Sequence, residues 1–213
     1  PEMVVFYKSR KATLEQLKAA EKYLLEPFDG YEIVKPDVTV GFGVGGATPI
    51  LARRIAEAAA HEDNVGSKLI FTGGVGVHHR VLSASIVPQM KKHDLEIPKS
   101  CKTEAECGAH VFASEYKKIT GKDENDRYEI LCENKSTNAQ QACANVKDMI
   151  GDLGGKRPYI SLVSIPCCAH RMLMTAMHEI GLNPIYMPVL AWLPEIGITR
   201  EGWMQNPLAR VET

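Results

Sequence analysis

The chain has 213 residues, of which 45% are hydrophobic and 24% are charged, and its formal net charge is -1. This length and composition allow one globular domain with a sizeable core. Because the net charge is close to zero, the chain has no long-range attraction for nucleic acid or for an anionic membrane. No apolar run is long enough to span a bilayer, and no secretory leader opens the chain. We therefore expect a cytoplasmic protein without a nucleic-acid or membrane partner.

The six cysteines predict reduced thiols. They lie within or beside apolar segments and have neither a C-x-x-C pair nor the spacing of a secreted disulfide framework. The seven histidines do not supply zinc-ligand spacing, so no metal site is expected. The neighbours Cys167 and Cys168 are interpreted as small packing residues rather than as a redox pair.

The first predicted element is a helix. In "ATLEQLKAAEKYLLE", residues 12–26, apolar side chains recur at helical spacing, and Pro27 and Gly30 follow as helix-ending residues. We interpret residues 1–35 as a helical lead-in and residues 36–213 as the main α/β unit of a single domain.

Strands and helices then alternate to the end of the chain. Buried strands are predicted in "DVTVGFG", "SKLIFTGG", "RYEILCE", "PYISLVSIP" and "PIYMPVL". Helices are predicted in "ATPILARRIAEAAAH", around residues 81–93, and in "EAECGAHVFASEYKKI", "TNAQQACANVKDMIGDL" and "HRMLMTAMHEIGL". This alternation predicts an α/β fold, a Rossmann-like three-layer αβα arrangement with a mostly parallel sheet of about five strands.

Two glycine-rich segments follow the first two predicted strands. "GFGVGG", which contains Gly43 and Gly45, runs into a helix, so its N–H groups are placed to face an anionic or carboxylate-bearing ligand. "TGGVGVHH" contains Gly73, Gly74 and His79. Both segments can also be simple turns. Because both fall on one sheet edge, we expect a ligand to lie against the backbone at Gly74.

The next two strand ends carry polar side chains. "CENKSTN" offers Glu133, and then Ser136 and Asn138, which are also ideal helix N-cap residues. Glu133 has no capping role, so we expect it to be paired or functional. "SIPCCAHR" brings Arg171 to the predicted first turn of a helix, where a cation opposes the macrodipole and indicates an anionic partner.

These motifs together resemble the YdcF-like family, the domain of unknown function shared with SanA and ElyC, and are most similar to its YdcF-type members. The likeness rests on "DVTVGFGVGGATPILARRIAEAA", "LIFTGGVG", "KTEAECGAHVFA", "ILCENKSTNAQQA" and "SIPCCAHRMLMT", in that order. It implies a modified nucleotide-binding α/β fold and S-adenosylmethionine as the cofactor. The residues that correspond to the family pattern are Gly43, Gly73, Gly74, Glu104, Glu133, Ser136, Asn138 and Arg171.

The chain departs from the family pattern in the third motif. Gln141 and Ala142 stand where relatives carry a carboxylate and an amide, and Cys168 stands where many have histidine. In addition, the second strand lacks the terminal acidic residue that usually holds ribose hydroxyls, a role that Glu104 or Glu133 is placed to take over.

Three functions are compatible with these residues. The first is a protein that binds S-adenosylmethionine or a nucleotide, with a transferase as the enzyme class, in which Arg171 holds a carboxylate or phosphate of the small-molecule ligand. The second is a hydrolase or transferase acting on a phosphorylated or glycosyl substrate, with Glu133 or His79 as general base. The third is a non-catalytic ligand sensor, which the substitutions in the third motif favour. The sequence leaves the oligomeric state open.

Overall fold

The fold was analysed in a computed structural model, which describes residues 34–61, 65–74, 86–96, 100–151 and 155–202. The predicted helix at residues 12–26 and the candidate residue His79 lie outside these ranges. No helix within the described ranges is long and apolar enough to cross a membrane.

Five parallel strands form a single sheet, with the spatial order β3-β2-β1-β4-β5. The strands are β1 (Val38–Gly41), β2 (Lys68–Thr72), β3 (Glu129–Glu133), β4 (Tyr159–Ser164) and β5 (Ile185–Leu190). The central strands are buried on both faces, as parallel strands covered by helices on both sides must be. The expected α/β Rossmann-like fold is confirmed, and the sheet is parallel throughout.

Five α-helices are described between and beside these strands. They are α1 (Thr48–Ala60), α2 (Val87–Lys92), α3 (Glu104–Thr120), α4 (Ala139–Ile150) and α5 (Pro166–Glu179). Helix α1 packs against α3, and α4 packs against α5. Right-handed crossovers place these two pairs on opposite faces of the sheet, which gives the three layers.

The strand order creates a switch point between β1 and β4. From β1 the chain moves outward through β2 to β3, and it then returns across the sheet to β4 and β5. The connections therefore leave the carboxyl ends of β1 and β4 in opposite directions. In open parallel sheets this divergence opens a crevice at the carboxyl edge, where ligands bind.

The core lies between the sheet and the helices. Ile70 and Phe112 are fully buried, and Phe112 contacts the rings of Tyr116 and Tyr128 at centroid distances of 5.8 and 5.6 Å. Burial of one such aromatic side chain contributes about 3 kcal/mol, so this cluster firmly attaches α3 to the sheet. Helix α3 in turn carries Glu104 to the carboxyl edge.

Two helix boundaries differ from the sequence prediction. The last helix begins at Pro166, four residues before the predicted His170, because proline suits the first helical position, where no N–H partner is needed. Arg171 therefore lies in the second turn, and the prediction that it opposes the macrodipole in the first turn is wrong. The helix expected around residues 81–93 is described from Val87 to Lys92.

Candidate functional site

The glycine-rich loop after β1 is held by acceptors from the protein itself. The N–H of Phe42 donates to the Val163 carbonyl at 3.1 Å. The N–H of Gly43 donates to Thr72 Oγ1 at 3.2 Å, and that of Val44 to Thr48 Oγ1 at 2.9 Å. The loop thus satisfies its donors locally and then enters α1 through a short 3₁₀ turn, Gly45–Ala47.

Glu104 provides the next acceptor for this loop. It is the first residue of α3, directly after the N-cap Thr103, whose capping box with Glu106 fixes the start of the helix. Its Oε2 accepts a hydrogen bond from the Gly45 N–H at 3.0 Å and another from the Thr48 hydroxyl at 3.1 Å. A carboxylate from the helix after β2 therefore binds the loop after β1.

Close packing explains two of the glycines. A Cβ at Gly43 would lie 2.6 Å from the Thr72 carbonyl oxygen and 2.7 Å from Glu104 Oε2. At Gly73, a φ of +119° already favours glycine, and a Cβ would lie 2.8 Å from Glu104 Cβ. The two glycine-rich loops therefore pack against each other and against Glu104.

The "TGG" segment after β2 is also bonded within the protein. The Gly73 N–H donates to the Glu133 carbonyl at 3.1 Å, and the Gly74 N–H donates to the Ser136 carbonyl at 3.0 Å. A Cβ at Gly74 would lie 2.3 Å from that Ser136 oxygen. Packing against the neighbouring chain segment is thus a sufficient reason for glycine at position 74, and the expected ligand at this backbone stays a prediction.

Glu133 ends β3 and is only 3% exposed. Its Oε1 accepts hydrogen bonds from the N–H groups of Lys135 at 3.0 Å and Ser136 at 2.9 Å, and from Asn145 Nδ2 at 2.8 Å. Its Oε2 is buried and has no hydrogen-bond partner within the described part of the chain. A buried carboxylate oxygen without a donor is costly, so this atom is an acceptor available to a ligand or to an ordered water.

Asn138 serves as the N-cap of α4. Its Oδ1 accepts from the Gln141 N–H at 2.9 Å, while Gln141 Oε1 accepts from the N–H of Thr137 at 2.9 Å. Asn138 therefore caps the first turn of α4, as its residue type predicted, while Gln141 binds the preceding residue rather than the N-cap backbone. Ser136 is buried between Glu133 and Gly74 and joins the two loops through its backbone.

The end of β4 and the start of α5 carry side chains of a different kind from those of the glycine-rich loops. Ser164 is fully buried, and its Oγ has no hydrogen-bond partner among the residues described. Cys167 and Cys168 are buried at the start of α5, with their sulfurs 3.8 Å apart. Arg171 is exposed and places Nη2 3.8 Å from Cys168 Sγ. This part of the edge combines thiols, a hydroxyl and an exposed guanidinium.

Three further thiols lie near Glu104. A hydrogen bond between Cys107 and Cys101 lowers the pKa of Cys101 and, together with burial, raises the pKa of Cys107. Burial raises the pKa of Cys132, next to Glu133, to about 11. Cys107 and Cys132 are therefore protonated at neutral pH and behave as packing residues. All six cysteines of the chain are free.

The structure brings most of the predicted residues to one edge of the sheet. Gly43, Gly45, Gly73, Gly74 and Glu104 form one contiguous set, which Ser136 and Glu133 join through backbone and side-chain hydrogen bonds. Arg171 follows a different strand, β4, and lies in the second turn of α5.

Sequence reasoning missed Thr48, Thr72 and Asn145, which hold the loops. Thr48 stands two residues after "GG" and Thr72 directly before "GG", so hydroxyls beside the glycines were the available signal. Within the described ranges, no group of three or more His, Cys, Asp or Glu side chains is arranged to hold a metal ion.

Comparison with known proteins adds little beyond the fold. No protein-family model matches the chain, and no curated protein is similar to it. Among solved structures, the chain is similar to glucose-6-phosphate 1-dehydrogenase from Mycobacterium avium, with 13% identity and a TM-score of 0.36 over 84% of this chain and 34% of that one. The chain thus spans about a third of the dehydrogenase. The resemblance to the YdcF-like family stays a prediction.

Proposed function

We propose that this chain binds an adenosine-containing small molecule, S-adenosylmethionine or a nucleotide, at the carboxyl edge of its sheet. The observation that carries the proposal is Glu133 Oε2, a buried carboxylate oxygen without a described donor at the end of a parallel strand. Ribose hydroxyls and amino groups are the donors that such an oxygen accepts, and this edge is where sheets of this topology bind their ligands.

The other oxygen of Glu133 supports the same role. Three donors from Lys135, Ser136 and Asn145 hold Oε1, so the carboxylate cannot turn without breaking hydrogen bonds. A fixed acceptor recognises a ligand donor at a low entropic cost. In this proposal Arg171 binds a carboxylate or phosphate of the ligand from the β4 side of the crevice. Transfer of a group from the bound cofactor would make the protein a transferase.

Calorimetric titration of the purified chain with S-adenosylmethionine, S-adenosylhomocysteine, adenosine and ADP tests the proposal. We expect binding of at least one of these ligands, and we expect Glu133→Gln to weaken it by about tenfold or more, because the amide replaces a charged acceptor. Glu129→Gln is the matched control, since Glu129 begins the same strand and is exposed. The absence of binding heat for all four ligands, with the protein folded, would contradict the proposal.

A second candidate function uses the same carboxylate as a general base. The three hydrogen bonds on Oε1 orient Glu133, which is what a base in a hydrolase or transferase of phosphorylated or glycosyl substrates requires. A screen of phosphate esters and glycosides tests it. Activity that Glu133→Gln abolishes and Glu129→Gln leaves intact would favour this candidate, whereas activity that survives Glu133→Gln would exclude Glu133 as the base.

A further inference from the structure

Glycine-rich loops that lead from a first strand into a helix normally bind phosphate. Their N–H groups point at the anion, and the helix N-terminus contributes a partial positive charge. In this chain the N–H groups of Phe42, Gly43, Val44 and Gly45 all donate to protein acceptors. These four donors, which an anion at such a loop would use, are therefore already in use.

The acceptor for Gly45 is an anion that the protein supplies. Glu104 Oε2 lies 3.0 Å from the Gly45 nitrogen and 3.1 Å from Thr48 Oγ1, where α1 begins. Glu104 is also the first residue of α3. Its carboxylate thus lies close to the N-termini of two helices, and both macrodipoles favour a negative charge there.

The surrounding packing keeps this carboxylate in place. Gly43 and Gly73 lie so close to the Glu104 side chain that a Cβ at either position would come within 2.8 Å of it. The Ala105 N–H donates to the Gly73 carbonyl at 3.0 Å and ties the start of α3 to the second loop. The half-buried side chain therefore packs against both glycine-rich loops.

We infer that Glu104 determines ligand specificity by occupying the anion position of the glycine-rich loop, so that the loop rejects phosphate-bearing ligands. This inference rests on the proposed function and narrows its ligand class. A phosphate at this loop would lose the Gly45 donor and would meet a carboxylate of the same charge. A nucleoside-type ligand without phosphate, carrying an ammonium or sulfonium group, has no such conflict and gains from the negative charge.

Removal of Glu104 should convert the loop into a phosphate site. The experiment compares four proteins: wild type, Glu104→Ala, Glu104→Gln and Glu106→Gln. Thermal melting first checks that each protein is folded. Calorimetry then measures its affinity for inorganic phosphate, ADP, adenosine and S-adenosylmethionine. Glu106→Gln is the matched control, because Glu106 lies on the same turn of α3 but accepts from Lys102 and Thr103. We expect Glu104→Ala to bind phosphate and ADP about tenfold or more tightly than wild type. The control should match wild type, and adenosine affinity should change little.

Each outcome decides the inference. A folded Glu104→Ala protein that gains no affinity for phosphate or ADP over Glu106→Gln would overturn it. If Glu104→Ala fails to fold, Glu104→Gln decides alone, because it keeps an oxygen for Gly45 but loses the charge. Tighter binding of phosphate or ADP than Glu106→Gln shows would support the inference, and equal binding would overturn it. If Glu104→Ala gains affinity for phosphate but no protein binds ADP, adenosine or S-adenosylmethionine, that result would count against the proposed function only.

Discussion

The two halves of the carboxyl edge are built differently. The β1–β3 half comprises the ends of β1, β2 and β3 and the start of α3. Its loops bind one another: Glu104 accepts from Gly45, and the Ser136 carbonyl accepts from Gly74. In the β4–β5 half, which comprises the ends of β4 and β5 and the start of α5, Ser164 Oγ has no described partner and Arg171 is exposed.

This difference changes how glycine-rich motifs in this chain should be interpreted. The glycines of the β1–β3 half are required because protein atoms lie where a side chain would be, at 2.3 Å for Gly74 and 2.6 Å for Gly43. Motif similarity alone does not distinguish such packing from an approaching ligand, because both need glycine. Recognition of a ligand must then depend on the groups that packing leaves available, such as Glu133 Oε2 and the β4–β5 half.

The largest effect is expected for Gly74→Ala. The new methyl group would lie 2.3 Å from the Ser136 carbonyl oxygen and 2.8 Å from that of Asn134, both of which belong to the backbone. Because backbone atoms cannot rotate away, the two loops must separate, and we expect a loss of about 3 kcal/mol or more in the free energy of unfolding. Urea denaturation followed by circular dichroism measures it.

Gly121→Ala is the matched control for this substitution. Gly121 is in the left-handed conformation, with a φ of +71°, and has nothing within 4 Å of its Cβ position, so alanine there introduces only backbone strain. We expect a cost of about 1 kcal/mol. Equal losses for the two variants would show that crowding is not what requires glycine at position 74, and the interpretation of the β1–β3 half as a close-packed unit would then be wrong.

A smaller loss is expected for Glu133→Ala. It removes the acceptor shared by Lys135, Ser136 and Asn145, while it also removes a buried carboxylate oxygen that has no described donor. The first effect destabilises and the second partly offsets it, so we expect a net loss of about 2 kcal/mol in the free energy of unfolding. Glu129→Ala on the same strand should cost less than about 0.5 kcal/mol. A more stable Glu133→Ala protein would mean that the carboxylate is a strained group kept for binding.

The alternation of strands and helices was enough to predict the fold class, because each buried strand is a short apolar run and each helix has its own apolar spacing. Strand order was not predictable, since it depends on which strands pair across the sheet. At the site, Asn138 was predicted as a helix N-cap residue, and the structure contains that cap. The contact between Glu104 and Gly45 joins residues 59 positions apart, and no local pattern encodes it.

Asn138→Ala tests whether Asn138 has any role beyond capping α4. Its loss leaves the Gln141 N–H without its acceptor at the start of α4, and we expect a cost of about 1 kcal/mol in the free energy of unfolding. Asp148→Ala, an exposed change on the same helix, is the control and should cost less than about 0.5 kcal/mol. Calorimetry on the same samples should find ligand affinity unchanged. A fall in affinity without loss of stability would assign Asn138 to the ligand site.

The smallest effect on stability is expected for Arg171→Ala, in the β4–β5 half. Arg171 is exposed, and substitutions of exposed residues usually change the free energy of unfolding by less than about 0.5 kcal/mol, so we expect a change of that size. If its guanidinium binds a ligand carboxylate with two parallel hydrogen bonds, affinity should fall about tenfold or more, and Arg171→Lys should restore only part of it because an ammonium lacks the planar fork. Unchanged affinity in both variants would remove Arg171 from the proposed site, and recognition would then depend on the one carboxylate oxygen that the β1–β3 half leaves without a described partner.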